Sequence, residues 1–118
     1  MPHGYLLSDD LLFTSRIAGT ARGLGLDVRV ARSASELGNL MAQQPPACLL
    51  LDLHNPGLAL EELLASLPRP RPLVVAYGSH VDAARLKAAR DAGCDLVLPR
   101  SKFVEELPAA LPRWCGGA

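Results

Sequence analysis

The sequence lacks several features that would assign it to a common class of protein. It carries no excess charge, because 12 basic residues balance 12 acidic ones and the arginines among them are scattered. A dedicated nucleic-acid-binding protein normally shows a basic face or stripe, so the composition argues against one. The apolar runs fall far short of the ~20 residues that a membrane helix needs. We therefore expect neither nucleic acid nor a membrane among the partners.

Signals for export, for a disulfide framework and for phosphate loops are also missing. The N-terminus lacks the charged and apolar regions of a signal peptide. Cys48, Cys94 and Cys115 are an odd number of cysteines without Cys-x-x-Cys spacing, which predicts a reduced, cytoplasmic protein. Neither a glycine-rich phosphate loop nor a nucleophile elbow occurs. The sequence thus offers no familiar enzyme motif, and we expect a protein that is not an enzyme.

What the sequence does contain is an alternation of short apolar strands and amphipathic helices. The 118 residues, 49% of them hydrophobic, suit one domain over 1–118, with a core over about 4–112 and a short C-terminal tail. Strands are predicted at 5–7, 27–31, 47–51, 73–77 and 95–98, each followed by a helix. We expect Pro108 to interrupt the last helix and Pro112 to end it. This order predicts an α/β, flavodoxin-like (βα)5 three-layer sandwich with a parallel sheet of order 2-1-3-4-5.

One stretch in the middle of the chain stands out because it ends in a carboxylate. The apolar run Ala47–Leu51 reaches Asp52, and the chain then breaks at Asn55-Pro56-Gly57. Such a run is typical of a strand buried on both faces. Asp52 therefore lies at the carboxyl end of that strand, where open α/β sheets place their ligand crevice. Burial of an unpaired carboxylate is costly, so we expect Asp52 to meet solvent, a metal or a ligand.

Two more carboxylates are predicted to lie near Asp52. Asp9 and Asp10 follow the first strand, which neighbours the third strand in a sheet of this order. The acidic groups should therefore converge on one crevice. Either Asp9 or Asp10 alternatively serves only to cap the first helix.

With these residues in place, the chain resembles a response-regulator receiver domain over essentially its whole length. Receivers carry acidic residues after the first strand and a phosphoacceptor Asp after the third. They carry a Ser or Thr after the fourth strand, and a Lys, usually followed by Pro, after the fifth. The matching segments here are SDD (8–10), DLHNP (52–56), AYGS (76–79), AGCD (92–95) and LPRSKF (98–103).

The resemblance implies a role for each matching residue. Asp52 would be the phosphoacceptor, Ser79 would lie near the hydroxyl position, and Arg100 would stand in place of the Lys. Mg2+ would neutralise the phosphoryl charge through hard oxygen ligands, namely the carboxylates of Asp9, Asp10 and Asp52 and the backbone carbonyl of His54.

Four departures from the receiver pattern predict an atypical member. Matching the first helix puts Ser8-Asp9 on the acidic pair, which leaves one carboxylate, although the register of this acidic loop stays open. Gly78 takes the hydroxyl position, with Ser79 one residue later. Arg100 is a planar fork in place of a compact ammonium, and Ser101 replaces the Pro. Arg100 is also a candidate for a salt bridge to Asp52 that would fill the phosphoryl site.

Three functions stay open at this point. The first is a stand-alone, atypical receiver-like signalling domain, bacterial by resemblance, that acts through protein–protein interaction. The second is a working phosphoacceptor in a two-component phosphorelay, Mg2+-dependent and modified at Asp52. The third is a cobalamin-type binding module, because Asp52-x-His54-x-x-Gly57 matches the D-x-H-x-x-G motif of those domains. Expected partners are a histidine kinase or a downstream effector, met through the fourth helix, fifth strand and fifth helix, by a monomer or weak homodimer.

Overall fold

The computed structural model describes residues 3–116 as five strands and five helices in strict alternation. The strands are β1 (Gly4–Leu7), β2 (Val28–Ala31), β3 (Cys48–Asp52), β4 (Leu73–Gly78) and β5 (Leu96–Pro99). The helices are α1 (Leu11–Gly23), α2 (Ala34–Gln43), α3 (Leu60–Ala65), α4 (Ala83–Ala92) and α5 (Arg100–Gly116). Each predicted strand is confirmed to within about one residue at its ends.

The five strands form one parallel sheet of order β2-β1-β3-β4-β5, which confirms the predicted flavodoxin-like topology. β3 lies at the centre, and all five of its residues are buried. An uninterrupted apolar run suits this position, because helices cover both faces of a parallel sheet.

Side chains of β3 point alternately into two apolar layers. Leu49 and Leu51 lie in the layer under α2, α3 and α4, together with Leu37, Leu64 and Leu86. Cys48 and Leu50 lie in the layer under α1 and α5. The sheet thus has helices on both faces, and the predicted three-layer sandwich is confirmed.

The course of α5 differs from the prediction. The helix runs for 17 residues through both Pro108 and Pro112, whereas the sequence predicted an interruption, an end and a short tail. Each proline removes one backbone hydrogen bond, but both prolines are exposed, so water can satisfy the freed carbonyls. The opposite face of the helix holds it on the sheet through six buried residues, Phe103, Leu107, Ala110, Leu111, Trp114 and Cys115.

Aromatic rings connect the last turns of α5 to the middle of the protein. Trp114 stacks on Phe103 with ring centroids 5.8 Å apart, and Phe103 stacks on Tyr77 at 4.5 Å. Tyr77 in turn lies 5.1 Å from Phe13 of α1. Such pairs add to the free energy of burial, so the segment beyond Pro112 belongs to the core.

The cysteines also differ from the prediction of a fully reduced chain. Cys48 and Cys115 form a disulfide that joins the start of β3 to the last turn of α5, with Cα atoms 5.2 Å apart. Both residues are buried, which is consistent with the predicted core position of Cys48. Cys94 remains a free thiol, and burial raises its pKa to about 11. The sequence analysis missed this disulfide for two reasons. The number of cysteines is odd, and nothing in the sequence showed that the end of α5 reaches the start of β3.

Within residues 3–116, no helix is both long enough and apolar enough to cross a lipid bilayer.

The disulfide makes a testable prediction about thiol reactivity and stability. Unfolding without reductant should expose one reactive thiol, that of Cys94, and unfolding with reductant should expose three. The bridge closes a loop between residues 67 apart in sequence, so its reduction should cost about 4 kcal/mol of unfolding free energy by chain entropy. Mass spectrometry after alkylation and denaturant melts measure the two effects. Cys94→Ala is the control, and reduction should lower its unfolding free energy by the same amount. Three reactive thiols in the wild-type protein unfolded without reductant would refute the disulfide.

Candidate functional site

The carboxyl ends of β1, β3, β4 and β5 meet at one edge of the sheet, and the loops that follow them form the candidate site. In register, Leu7 pairs with Leu51 and Asp52 pairs with Tyr77. Ser8, the first residue after β1, therefore lies beside Asp52. The parallel sheet thus brings the loop after β1 and the end of β3 to the same edge.

Asp52 lies at the centre of this edge and is almost completely buried. It is 2% exposed, and both of its carboxylate oxygens accept hydrogen bonds from the chain. The Ser8 hydroxyl donates to Oδ2 at 2.7 Å, and the backbone N–H of His54 donates to Oδ1 at 2.9 Å. Charge-assisted hydrogen bonds of this kind are among the strong ones in proteins, and they satisfy the buried carboxylate without a metal or a cation.

The two carboxylates after β1 do not join Asp52. Asp9 is exposed, and Asp10 caps α1 by accepting a hydrogen bond from the N–H of Phe13 at 3.0 Å. Asp10 thus adopts the capping alternative, and Ser8 is the residue of this loop that contacts Asp52. Among residues 3–116, no three His, Cys, Asp or Glu side chains lie close enough to hold a metal ion together. Asp9, Asp10 and Asp52 therefore do not form one cluster, and the roles of these carboxylates and of the His54 carbonyl toward Mg2+ stay predictions.

Arg100 does not form the salt bridge to Asp52 that the sequence suggested. Its guanidinium carbon lies 4.8 Å from the ring centroid of Phe13, and its Nη1 lies 3.7 Å from Oδ2 of Asp10. A planar guanidinium stacks well on an aromatic ring, whereas a lysine ammonium does not. Because Ser8 and His54 already satisfy Asp52, the cation is turned toward α1.

Gly78, which the sequence predicted at the hydroxyl position of receivers, lies against the ring of His54. A Cβ atom on Gly78 would lie 3.3 Å from Nε2 of His54 and 3.3 Å from Cδ2 of Leu86. Nε2 of His54 accepts a hydrogen bond from the backbone N–H of Ser79 at 2.9 Å. The Ser79 hydroxyl accepts from the N–H of Val81 within its own loop at 3.3 Å. Gly78 thus leaves the space that the imidazole fills.

A second contact joins the same two loops. The Arg85 side chain at the start of α4 donates to the backbone carbonyl of Leu53 at 3.0 Å. Arg85 also pairs with Asp82, the residue that caps α4, and this arginine lowers the pKa of the Asp82 carboxyl below its usual value. The loop after β3 is therefore held to the loop after β4 by His54 and to the start of α4 by Arg85. Sequence reasoning missed the His54 contact, and the only sequence signal for it is the glycine that precedes Ser79.

Tyr77 adds a buried, unpartnered hydroxyl beside Asp52. Its side chain is fully buried, and its hydroxyl makes no hydrogen bond of good geometry within residues 3–116, although the Ser8 hydroxyl lies near enough to lower its pKa slightly against the effect of burial. Burial raises the pKa of Tyr77 well above its ordinary value, and the nearby Asp52 carboxylate raises it further. The Asn55 side-chain oxygen in the loop after β3 is also buried and unpartnered.

Comparisons with known proteins identify the fold. No protein-family model matches the sequence, and no curated protein matches it. Among solved structures, the receiver domain of NtrX from Brucella abortus superposes with a TM-score of 0.81 at 17% identity, over 98% of this chain and 99% of that one. A response-regulator receiver domain from Bermanella marisrubri gives 0.81 at 22% identity, over 97% and 98% of the two chains.

A eukaryotic structure shares the same fold. The co-crystal structure of the Saccharomyces cerevisiae phosphotransfer protein Ypd1 and the receiver domain of Ssk1 matches with a TM-score of 0.78 at 14% identity, over 96% of this chain and 88% of that one. At identities this low, the structural similarity shows the architecture alone. The chain therefore has the fold of a response-regulator receiver domain, as its sequence predicted.

The two tyrosines of the chain provide a matched pair for a stability experiment. Tyr77→Phe should raise the unfolding free energy by about 1 kcal/mol, because it removes a buried hydroxyl that lacks a partner. Tyr5→Phe should lower it by about 1 kcal/mol, because the Tyr5 hydroxyl donates to the backbone carbonyl of Gln44 at 2.7 Å.

Tyr77 also predicts how the stability of the protein depends on pH. The folded pKa of Tyr77 lies above the ordinary value of 10.0, so above that pH the unfolded chain loses its proton first. Stability should then fall as pH rises, and Tyr77→Phe should reduce this alkaline slope. Denaturant melts across the alkaline range measure both effects, and a destabilised Tyr77→Phe protein would contradict the unpartnered hydroxyl.

A substitution at Gly78 tests the imidazole contact. Gly78→Thr should displace the His54 ring, because its Cβ would stand within 3.3 Å of Nε2. The hydrogen bond to Ser79 should then break, which faster amide exchange at Ser79 and a changed nitrogen shift of the His54 ring would report by NMR. Gly38→Ala is the control, since a Cβ there meets nothing within 4 Å. Unchanged His54 signals in Gly78→Thr would disprove the contact.

Proposed function

We propose that this chain is an atypical receiver-like signalling domain that acts through contact with other proteins and does not depend on phosphorylation of Asp52. The observation that carries the proposal is the state of Asp52. Its exposed fraction is 2%, and both carboxylate oxygens already accept hydrogen bonds from Ser8 and His54. Each oxygen of this buried carboxylate thus already has one donor from the chain, which lowers its nucleophilicity toward an incoming phosphoryl group.

The surroundings of Asp52 support the same proposal. A phosphoryl group on a carboxylate needs a divalent cation, a hydroxyl donor and a compact ammonium to hold its oxygens. Here Ser8 takes the place of one carboxylate, Gly78 takes the place of the hydroxyl, and Arg100 lies over Phe13. Each of these changes weakens a different contact with the phosphoryl group, so together they favour a role that does not require it.

Exposed apolar side chains support contact with a protein partner. Leu12 is 88% exposed and Leu11 is 57% exposed at the start of α1, and Val81 is 78% exposed in the loop after β4. Leu96 on β5 is also partly exposed, on the face where the sequence predicted a partner. Leu11 and Leu12 are adjacent in sequence and form an exposed apolar pair, and contiguous exposed apolar patches often mark interaction sites.

The partner we propose is a signalling protein. The Ssk1 receiver domain was crystallised with the histidine phosphotransfer protein Ypd1. A histidine kinase, a phosphotransfer protein or a downstream effector in the cytoplasm would suit a chain with this fold.

The two alternative functions have less support. A working phosphoacceptor is favoured by the position of Asp52 at the carboxyl end of β3, and the experiment below tests it. A cobalamin-type module would need a free imidazole nitrogen on His54, but Nε2 already accepts a hydrogen bond from Ser79. An absorption spectrum of the purified protein without visible bands would agree with this reasoning.

An NMR titration with Mg2+ and then beryllofluoride, which mimics the phosphoryl group, tests the proposal. The wild-type amide spectrum should not change at Asp52, Ser79 or α4, because the site lacks a paired carboxylate. The double variant Ser8→Asp/Arg100→Lys places a second carboxylate beside Asp52 and restores the ammonium. It should be less stable than wild type without Mg2+, because of like-charge repulsion, and should regain stability with Mg2+.

Ser15→Asp is the matched control, since Ser15 is exposed on α1 and is not part of the site. Its melting temperature should not respond to Mg2+. Wild-type shifts that spread from Asp52 to α4 with beryllofluoride would overturn the proposal and support the working phosphoacceptor.

A further inference from the structure

A cavity that is broadly open to solvent, with a volume of about 730 Å³, lies beside the loops of the candidate site, between α1 and α5. Its walls come from four separate parts of the chain, namely α1, the loops after β3 and β4, and the first turn of α5. Its volume falls within the roughly 300–1,000 Å³ typical of sites for small organic ligands. Asp52 does not line it, so the cavity is separate from the buried carboxylate.

The polar side chains that line the cavity are cationic or neutral hydrogen-bond donors. They are two arginines, two histidines and two serines: Arg16, Arg100, His54, His80, Ser79 and Ser101. None of the residues that line it is a carboxylate, although the chain as a whole carries equal numbers of acidic and basic residues. Local convergence of one sign of charge raises the concentration of the opposite ion, so the lining selects for an anion.

The two guanidinium groups are available to a ligand. Among residues 3–116, neither Arg16 nor Arg100 has a carboxylate within hydrogen-bond distance, and the nearest ion-pair contact is Asp10 at 3.7 Å from Arg100. That contact is long and partly exposed, so an anion in the cavity can compete with it. Guanidinium groups bind phosphate oxygens in pairs of parallel hydrogen bonds.

The helix and the imidazole add further donors. The cavity lies at the beginning of α5, whose first N–H groups have no acceptor within the helix and whose dipole favours negative charge there. His54 accepts through Nε2 from Ser79, so in the neutral ring the proton is on Nδ1, which is a donor. These groups reinforce the charge of the arginines.

The remaining walls are apolar, which argues against a bare inorganic ion. Phe13 and Val104 face the cavity from α1 and α5, and the Arg100 guanidinium covers the Phe13 ring. Phe13 is nearly buried beneath this guanidinium, so the outer face of Arg100 is the planar surface on which a flat ring can stack. We propose that this cavity binds a small organic phosphate with a planar ring, of the nucleoside monophosphate type, without covalent chemistry at Asp52.

The test is an NMR titration of the whole chain with AMP, GMP, CMP, UMP and inorganic phosphate, in the presence of EDTA. At least one nucleotide should shift the amides of His80, Ser101 and Val104, and it should bind about tenfold or more tightly than inorganic phosphate. Because EDTA removes divalent ions and no phosphodonor is present, the result does not depend on whether Asp52 can be phosphorylated.

Substitutions identify the site. Arg16→Gln and Arg100→Gln should each weaken nucleotide binding about tenfold, the loss expected from one charge-assisted hydrogen bond. Arg22→Gln is the matched control, because Arg22 is exposed on the same helix as Arg16 but does not line this cavity. Arg16 is also exposed, so its substitution should leave the fold intact.

Three results would overturn the proposal. In the first, none of the five probes shifts the cavity amides. In the second, inorganic phosphate binds as tightly as every nucleotide, which would show that the apolar wall contributes nothing. In the third, Arg16→Gln, Arg100→Gln and Arg22→Gln weaken binding equally, which would show only general attraction to positive charge.

Discussion

The burial of the Asp52 charge is the constraint on which the arrangement of the site depends. A carboxylate that is withdrawn from water must have its oxygens satisfied, or the fold loses several kcal/mol. Here the Ser8 hydroxyl and the His54 backbone amide satisfy them. These two contacts determine where the loops after β1 and β3 lie, and they leave the nearby cation without a role at the carboxylate. Arg100 consequently turns to Phe13, and its charge becomes part of the wall of a neighbouring cavity.

The loops around Asp52 are joined to one another and to α4 by side-chain contacts. His54 joins the loop after β3 to Ser79, and Arg85 joins the same loop to the start of α4 through the Leu53 carbonyl. The His54 ring also lies against Gly78, where an added Cβ would stand 3.3 Å from Nε2. Together these contacts determine where the loop after β3 lies relative to the loop after β4 and the start of α4.

Much of the fold could be predicted from the sequence, because the strands are short apolar runs whose ends carry clear turn signals. The order of the sheet followed from the alternation, and Asp52 was placed at the correct edge. The partners of Asp52 could not be predicted in the same way. Whether Ser8 or Asp9 contacts it depends on the pairing of β1 with β3, and a shift by one residue exchanges the two sides of a strand. The direction of Arg100 depends on Phe13, which is 87 positions away in sequence.

The course of α5 could not be predicted from local sequence patterns, because two prolines favour a break whereas tertiary packing keeps the helix continuous.

The packing of α5 has a consequence for spectroscopy. Trp114 is the single tryptophan of the chain; it stacks on the Phe103 ring and directly precedes Cys115 of the bridge. Its fluorescence is therefore an intrinsic probe of this layer of the core. Through Phe103 and Tyr77 the ring contacts continue from that fluorophore to Phe13 beside the cavity, so a ligand that displaced Phe13 would also disturb the surroundings of Trp114.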